Sequence, residues 1–404
     1  MKIVHIAQHY NDGFGYHENL LPRYQKKYGH EVTIITSKVG SYFKGVPLNR
    51  IKNKCCEYED GGVRIICLPI KREFKGRFVI FDGLDRIIER EKPDYIYHHG
   101  ITHPSVFEAA RYKKKHPSVF LVVDNHSDLN NSGKKYLWKV LYYSIFWKTL
   151  LRKIKNYIDL VYGVTPARCY FANEELGIPW DLIRFLPLGA DEDLAYEVLK
   201  ENEIRAQRNR LRIITGGKIT KEKNIASLLK ALFGLKVNLI IFGAIPVGIK
   251  QLIIDYFNKG LKVELYGWQD RKSTLKLLSE SDIAIWNRQH TTLIEDAISV
   301  MTPLILRYHG STSHLIRGNG FYLYSDNPLE IRSYIELIIK NKEVLEGMRM
   351  HAKEMVNMLS YNRIAKESID YFYDKAPKES HLFFMNSFLC NPNNDDFKKL
   401  PNIN

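Results

Sequence analysis

Leu211-Arg212-Ile213-Ile214-Thr215-Gly216-Gly217-Lys218 runs on through Lys223 into Ile225, Leu228, Leu229 and Leu232. The first five residues are apolar and β-branched enough to predict a buried strand. The glycine pair predicts a sharp turn at which another group can approach the backbone. Ile225, Leu228, Leu229 and Leu232 share one face at helical spacing, so the next element reads as a helix carrying Lys223. A strand, a glycine turn and a helix start offer free N–H groups and the positive end of a helix dipole. Lys218 and Lys223 add two full charges, which suits an anion such as a diphosphate. Taken alone, the stretch fits a plain βα turn with two solvated lysines equally well, because the rest of a P-loop pattern is missing.

The plan repeats on both sides. Downstream, strands are expected at Val237 to Phe242, Val263 to Tyr266, Asp282 to Trp286 and Pro303 to Leu306, with a helix from Leu293 to Met301. Upstream, Met1 to Gln8 reads as a strand, Glu18 to Lys27 as a helix and Glu31 to Thr36 as a strand. Further strands are expected at Val63 to Leu68, Tyr95 to His98, Phe120 to Asp124 and Tyr157 to Val164. Alternating strands and helices define an α/β class with parallel sheets. The expected domains are 1–190, 191–375 with terminal helices, and a poorly ordered tail, 376–404. Two doubly wound halves predict a cleft between them. His126 and Asp128 follow the Phe120 to Asp124 strand, at the strand end where ligands gather in such sheets. A capping aspartate and a structural histidine are the bland alternative. Asp191-Glu192-Asp193 spells a D-x-D, but its charged, loop-like surroundings argue against a metal.

Composition narrows the partners. The 404 residues are 45% hydrophobic and carry a formal charge of +15, which favours anionic partners: nucleotide phosphates, nucleic acid or anionic lipid. Nucleic acid explains the charge but none of the glycine and glutamate motifs. Cys55, Cys56, Cys67, Cys169 and Cys390 have no zinc-site spacing and suggest a reducing compartment. The chain opens on a short strand rather than a leader peptide, and no run is long enough to span a bilayer.

The segment 134–155 predicts a helix with two faces. Val140, Tyr143, Trp147, Leu150, Leu151 and Ile154 form an apolar stripe. The other side mixes Lys135, Lys139, Lys148 and Arg152 with Trp138, Tyr142 and Phe146. Basic and aromatic residues sharing a face suit an anionic membrane surface, and a core-packed helix with a solvated basic side is the alternative. The expected location is cytoplasmic, peripheral at the inner face of the cell membrane.

Taken together, these motifs resemble the family-4 retaining glycosyltransferases of the GT-B fold, of the bacterial surface-polysaccharide type. The likeness covers roughly 1–375. It rests on Gly13-Phe14-Gly15 with Gly29-His30-Glu31-Val32, on His126-Ser127-Asp128, and on Pro187 to Asp191. It rests further on Gly217-Lys218 through Lys223, on Ser281 to Ile285, and on Glu295-Asp296-Ala297 through Ile305. Two features depart from the family pattern: Asn287 stands where the first of two glutamates is common, and Gln289-His290-Thr291-Thr292 replaces the usual glycine.

The resemblance implies a nucleotide-sugar donor, UDP before GDP, and a glycan or lipid-linked acceptor. It implies that Lys218 and Lys223 neutralise the leaving diphosphate and that His126 faces the sugar or acceptor. Gly13, Gly15, Gly217, Asn287, Gln289, Thr291 and Thr292 would lie along the donor, with Glu295 on the ribose. No metal or other cofactor is implied, since the cations are protein-borne. The alternatives are a nucleotide-sugar-binding module with little turnover and a nucleotide-sugar epimerase of the same fold.

Overall fold

The computed structural model describes residues 1–40, 56–74, 78–133, 135–201 and 209–373. They form two units: Met1–Leu188 together with 361–373, and Gly189–Ser360.

The first unit holds β1 (Lys2–Ala7), β2 (Glu31–Ser37), β3 (Glu57–Asp60), β4 (Val63–Leu68), β5 (Ile70–Phe74), β6 (Phe78–Phe81), β7 (Tyr95–His99), β8 (Phe120–Asn125), β9 (Leu160–Gly163) and β10 (Ile183–Phe185). Eight of these make one sheet in the order β10-β9-β8-β7-β1-β2-β4-β3. Every pairing in it is parallel except β3 with β4, and β5 and β6 form a separate antiparallel hairpin. β1 is buried from Ile3 to Ala7 because helices cover both faces of such a sheet. Ile3, Leu21, Tyr24, Ile34 and Tyr97 share one core cluster. Full burial of each aliphatic side chain contributes roughly 1.5–3 kcal/mol.

The second unit holds β11 (Leu211–Lys218), β12 (Val237–Ala244), β13 (Lys262–Tyr266), β14 (Ile283–Trp286), β15 (Leu304–Arg307) and β16 (Gly320–Leu323). Their order is β13-β12-β11-β14-β15-β16, all parallel. This is the Rossmann order, whose direction reverses between β11 and β14.

Several expectations need correction. Gly216, Gly217 and Lys218 do not turn; they extend β11 and pair with Phe242, Gly243 and Ala244 of β12. The glycines serve close strand packing instead, since a Cβ on Gly243 would lie 2.1 Å from the Gly217 carbonyl oxygen. Lys223 precedes the helix: Lys221–Lys223 is a 3-10 turn, Asn224 takes a left-handed φ of 52°, and the helix is Ile225–Leu232. Asparagine tolerates that conformation better than most residues, which redirects the chain there. Asp191-Glu192-Asp193 is not a loop. Glu192–Glu201 is a helix that buries Ala195 and Val198, and Asp191 Oδ1 accepts from Leu194 N at 3.4 Å. Lys155–Tyr157 is a 3-10 turn, and the strand expected from Tyr157 starts at Leu160.

The helix Tyr361–Asp370 belongs to the first unit, not to the second domain as expected. Its Tyr361, Ile364, Ala365 and Ile369 sit in the same core cluster as Tyr24 and Tyr97. The tail 376–404 and the segment 202–208 lie outside the described residues.

Candidate active site

In an open parallel sheet the crevice for a ligand lies beyond the carboxyl ends of the strands where their order reverses. In the second unit that place is the end of β11 beside the end of β14. β11 ends at Gly217, which has a φ of 99°, and at exposed Lys218. Lys223 follows, half-buried. Asn287 continues from β14, and its Nδ2 donates to the Asn224 carbonyl at 3.1 Å. The Asn287 side chain therefore ties the turn after β11 to the end of β14. Gln289, Thr291 and Thr292 are half-buried in the loop leading to the helix Leu293–Ser299. Leu293 packs so close to Gly217 that a Cβ there would lie 2.8 Å from its Cδ1.

Glu295, the residue expected on the ribose, stands at the start of the helix Leu293–Ser299. It is wholly buried, and His290 Nε2 lies 2.8 Å from its Oε1.

Sequence reading misses two buried guanidiniums beyond β14 and β15. Arg288 forms an ion pair with Asp326 at 3.4 Å, and burial pushes its pKa down. Arg307 ends β15 and donates to the Leu323 carbonyl at 3.3 Å. An arginine closing an apolar strand run is the available signal.

The first unit has its own reversal point, between β1 and β7. A cavity of about 330 Å³ opens there, lined by Gln8, His9, Glu18, His99, His103 and His126 among others. His126 is held by Asp124, whose Oδ2 lies 3.1 Å from its Nε2. Asp124 is wholly buried, and the His126 and His99 imidazoles hold its carboxyl well below the usual range against the cost of burial. Burial pushes the Glu18 carboxyl up, opposed by His99 and His126. Asp128, paired with His126 in the sequence reading, is instead a turn cap: its Oδ1 accepts from Asn130 N and Asn131 N, both at 2.8 Å. Gly13, with a φ of 73°, lies in the exposed loop before the helix His17–Lys27, and Gly15 follows it. Gly13, Gly15 and His126 thus belong to the first unit, and the lysine, Asn287 and Glu295 group to the second.

The residues expected at a membrane divide differently. Tyr136–Trp138 is helical, Lys139–Trp147 is a π-helical stretch and Lys148–Leu151 is α-helical. Tyr143, Trp147, Leu151 and Ile154 are buried, but Lys139 and Lys148 are not free for lipid. Lys139 pairs with Glu175 at 2.9 Å, and Lys148 Nζ donates to the Glu174 carbonyl at 3.4 Å. The exposed face is apolar instead: Leu137, Leu141 and Ile145 are 72%, 60% and 53% accessible. Lys135 and Arg152 are exposed at its ends. No helix among the described residues is long and apolar enough to cross a membrane.

Known structures share this architecture. The chain is similar to sucrose-phosphate synthase from Thermosynechococcus elongatus, with a TM-score of 0.67 at 16% identity over 92% of this chain and 98% of that one. It is similar to Anabaena HepE in complex with UDP-glucose, with a TM-score of 0.64 at 16% identity over 93% of this chain and 100% of that one. It also resembles a putative UDP-N-acetylglucosamine 2-epimerase from Listeria monocytogenes, with a TM-score of 0.58 at 13% identity over 93% and 98%. No curated protein matches the chain in sequence. Two Rossmann-like units, each with its own reversal point, are the architecture of the GT-B fold. Residues 13–194, all within the first unit apart from the last few, match the profile of Glycosyltransferase Family 4.

Proposed function

We propose that the protein is a retaining transferase that moves a sugar from a nucleotide-sugar donor, UDP before GDP, to a glycan or lipid-linked acceptor in polysaccharide synthesis. The observation that carries the donor side is the β11–β14 reversal point, where Gly217, Lys218, Asn224 and Asn287 converge. Anabaena HepE holds UDP-glucose in its solved complex, which favours UDP for this chain.

In the proposed reaction the bond between the anomeric carbon and the diphosphate oxygen breaks. The acceptor oxygen bonds to that carbon on the same face, and the acceptor proton passes to the departing phosphate oxygen. Lys218 and Lys223 stabilise the diphosphate most when its charge peaks, so they lower the barrier rather than only tighten binding. His126, oriented by Asp124, faces the acceptor hydroxyl. This step uses no metal, because the cations are protein-borne. The apolar face around Leu141 docks the enzyme on an anionic membrane, where a lipid-linked acceptor resides.

The test is transfer from labelled UDP- and GDP-sugars in the presence of membrane lipid. Lys218→Ala is expected to lower turnover by roughly 10²–10³-fold while the protein still folds. The absence of both transfer and donor hydrolysis across a broad donor panel rejects the enzyme reading. Asn287 spends its amide on Asn224 and Glu295 is buried, which favours a second reading: a nucleotide-sugar-binding module. That reading requires nucleotide binding with any residual activity indifferent to Lys218→Ala.

A further inference from the structure

In the first unit three imidazoles converge on one carboxylate oxygen. Asp124 Oδ2 lies 3.1 Å from His99 Nδ1, 3.1 Å from His126 Nε2 and 3.8 Å from His17 Nε2. The two 3.1 Å approaches match that oxygen's two lone-pair directions, and His17 Nε2, at 3.8 Å, stands beyond hydrogen-bond distance of it.

The protons near His99 can be traced from a fixed end. Ser368 Oγ donates to the Ala365 carbonyl at 2.6 Å, and that oxygen can only accept. The hydroxyl proton is thereby used, so Ser368 Oγ accepts from Gln25 Nε2 at 2.8 Å. Gln25 Oε1 then faces His5 Nε2 at 2.6 Å and must accept from it. His5 is wholly buried with Gln25 and His99 as its hydrogen-bond partners, neither of them a carboxylate, and is neutral there. Its Nδ1 is therefore bare and accepts from His99 Nε2 at 3.0 Å. His99 Nδ1 thus faces Asp124 Oδ2 at 3.1 Å, and what fills that contact is either a second proton on His99 or a cation shared by the two side chains.

We propose that His17 Nε2, His99 Nδ1 and Asp124 Oδ2 bind a divalent transition metal of the zinc class, leaving one coordination position open toward the cavity where His126 stands. The ligand atoms lie within 4.8 Å of one another, and all three residues are buried. Ligands about 2.0–2.2 Å from a tetrahedral metal lie about 3.4 Å apart, comparable with the 3.1 and 3.8 Å separations found here. Two imidazoles and a carboxylate with an open fourth position suit zinc-like ions.

The outer contacts match what metal ligands need. His17 Nδ1 lies 3.1 Å from the Tyr361 hydroxyl, His99 Nε2 is held by His5, and Asp124 Oδ1 accepts from Gly100 N at 2.6 Å. The metal would displace the Tyr97 hydroxyl, 3.0 Å from His17 Nε2. The site is separate from the lysines proposed to carry the diphosphate charge and does not depend on that reading.

The full chain, purified without chelator, is titrated with Zn²⁺ by calorimetry and loaded with Co²⁺ for visible spectroscopy. The expected result is about one ion per chain, with the intense absorption of a four-coordinate cobalt site. His99→Asn abolishes both signals, whereas exposed His351→Ala keeps them. Because His99→Asn alters a buried residue, Gln25→Leu provides a second variant: it touches no ligand and lowers affinity roughly 10–100-fold through the relay. Circular dichroism confirms that each variant is folded. Wild-type protein that takes up no metal in excess Zn²⁺ overturns the proposal, as does cobalt absorption unchanged in His99→Asn. Nitrogen NMR showing His99 doubly protonated while Zn²⁺ is in excess also overturns it, because a proton then fills the gap.

Discussion

Gly243 shows how single residues set the geometry at the end of β11. Its φ is 106°, a backbone conformation that L side chains rarely adopt, and an added Cβ would meet the Gly217 oxygen at 2.1 Å. Gly243→Ala must part β11 from β12 beside Lys218, at a cost of about 1–3 kcal/mol from overpacking, before backbone strain is added. Gly248 is the control: it lies inside the helix Val247–Asn258, and nothing approaches a Cβ there within 4 Å. Gly248→Ala is expected to stabilise by about 0.5–1 kcal/mol. Urea unfolding of both variants gives opposite signs if this is correct.

Legibility at this scale is uneven. Lys218 is readable because a cation follows an unbroken apolar run. The Asp124–His99–His17 cluster is not, because it depends on β7 and β8 lying side by side and on the start of the helix His17–Lys27 reaching them, and sheet order is not a local property. The glycines stand out in the sequence for a different reason from the one that matters: sequence shows conformational freedom but not which backbone stands opposite.

Among the elements, the helical stretch from Tyr136 to Leu151 departs most from its sequence reading. The buried stripe holds for Tyr143, Trp147 and Leu151, since Trp147 stacks on Phe78 and Phe107 at ring separations of 5.6 and 6.2 Å. The outer face differs because the lysines counted toward it find partners: Lys139 on Glu175 and Lys148 on the Glu174 carbonyl. Charge on a helical wheel does not reveal such partners. The apolar face that remains makes a sharper prediction. Leu141→Asp with Ile145→Asp removes apolar contact without touching the buried stripe, and is expected to abolish co-sedimentation with anionic liposomes while leaving the melting temperature nearly unchanged. Lys139→Glu, by contrast, sets two acids against each other at Glu175 and is expected to cost stability. Undiminished liposome binding by the double aspartate variant rules this face out as the anchor.

For the whole molecule, the main surprise is where the chain ends up after its second Rossmann unit. Strand and helix alternation makes both sheets legible, but periodicity cannot say which core an amphipathic helix joins. Tyr361–Asp370 follows the second unit in sequence, yet it completes the first. It supplies the Tyr361 hydroxyl to His17, the Ser368 hydroxyl to Gln25 and the Ser368 carbonyl to the Tyr95 hydroxyl at 2.6 Å. Ending the chain after Ser360 would uncover the neighbours of Ile364 and Ile369 in the first core and leave His17 and Gln25 short of partners, each unsatisfied polar group costing about 1–3 kcal/mol. The second unit keeps its own core, with Met348 and Met355 still packed. Hydrogen exchange on the truncated chain should therefore show lost protection in Lys2–Ala7 and His17–Lys27, while Leu211–Lys218 stays protected. Equal loss in both units would mean that the helix stabilises the molecule in some other way, and unchanged protection in the first unit would mean that it stabilises nothing there.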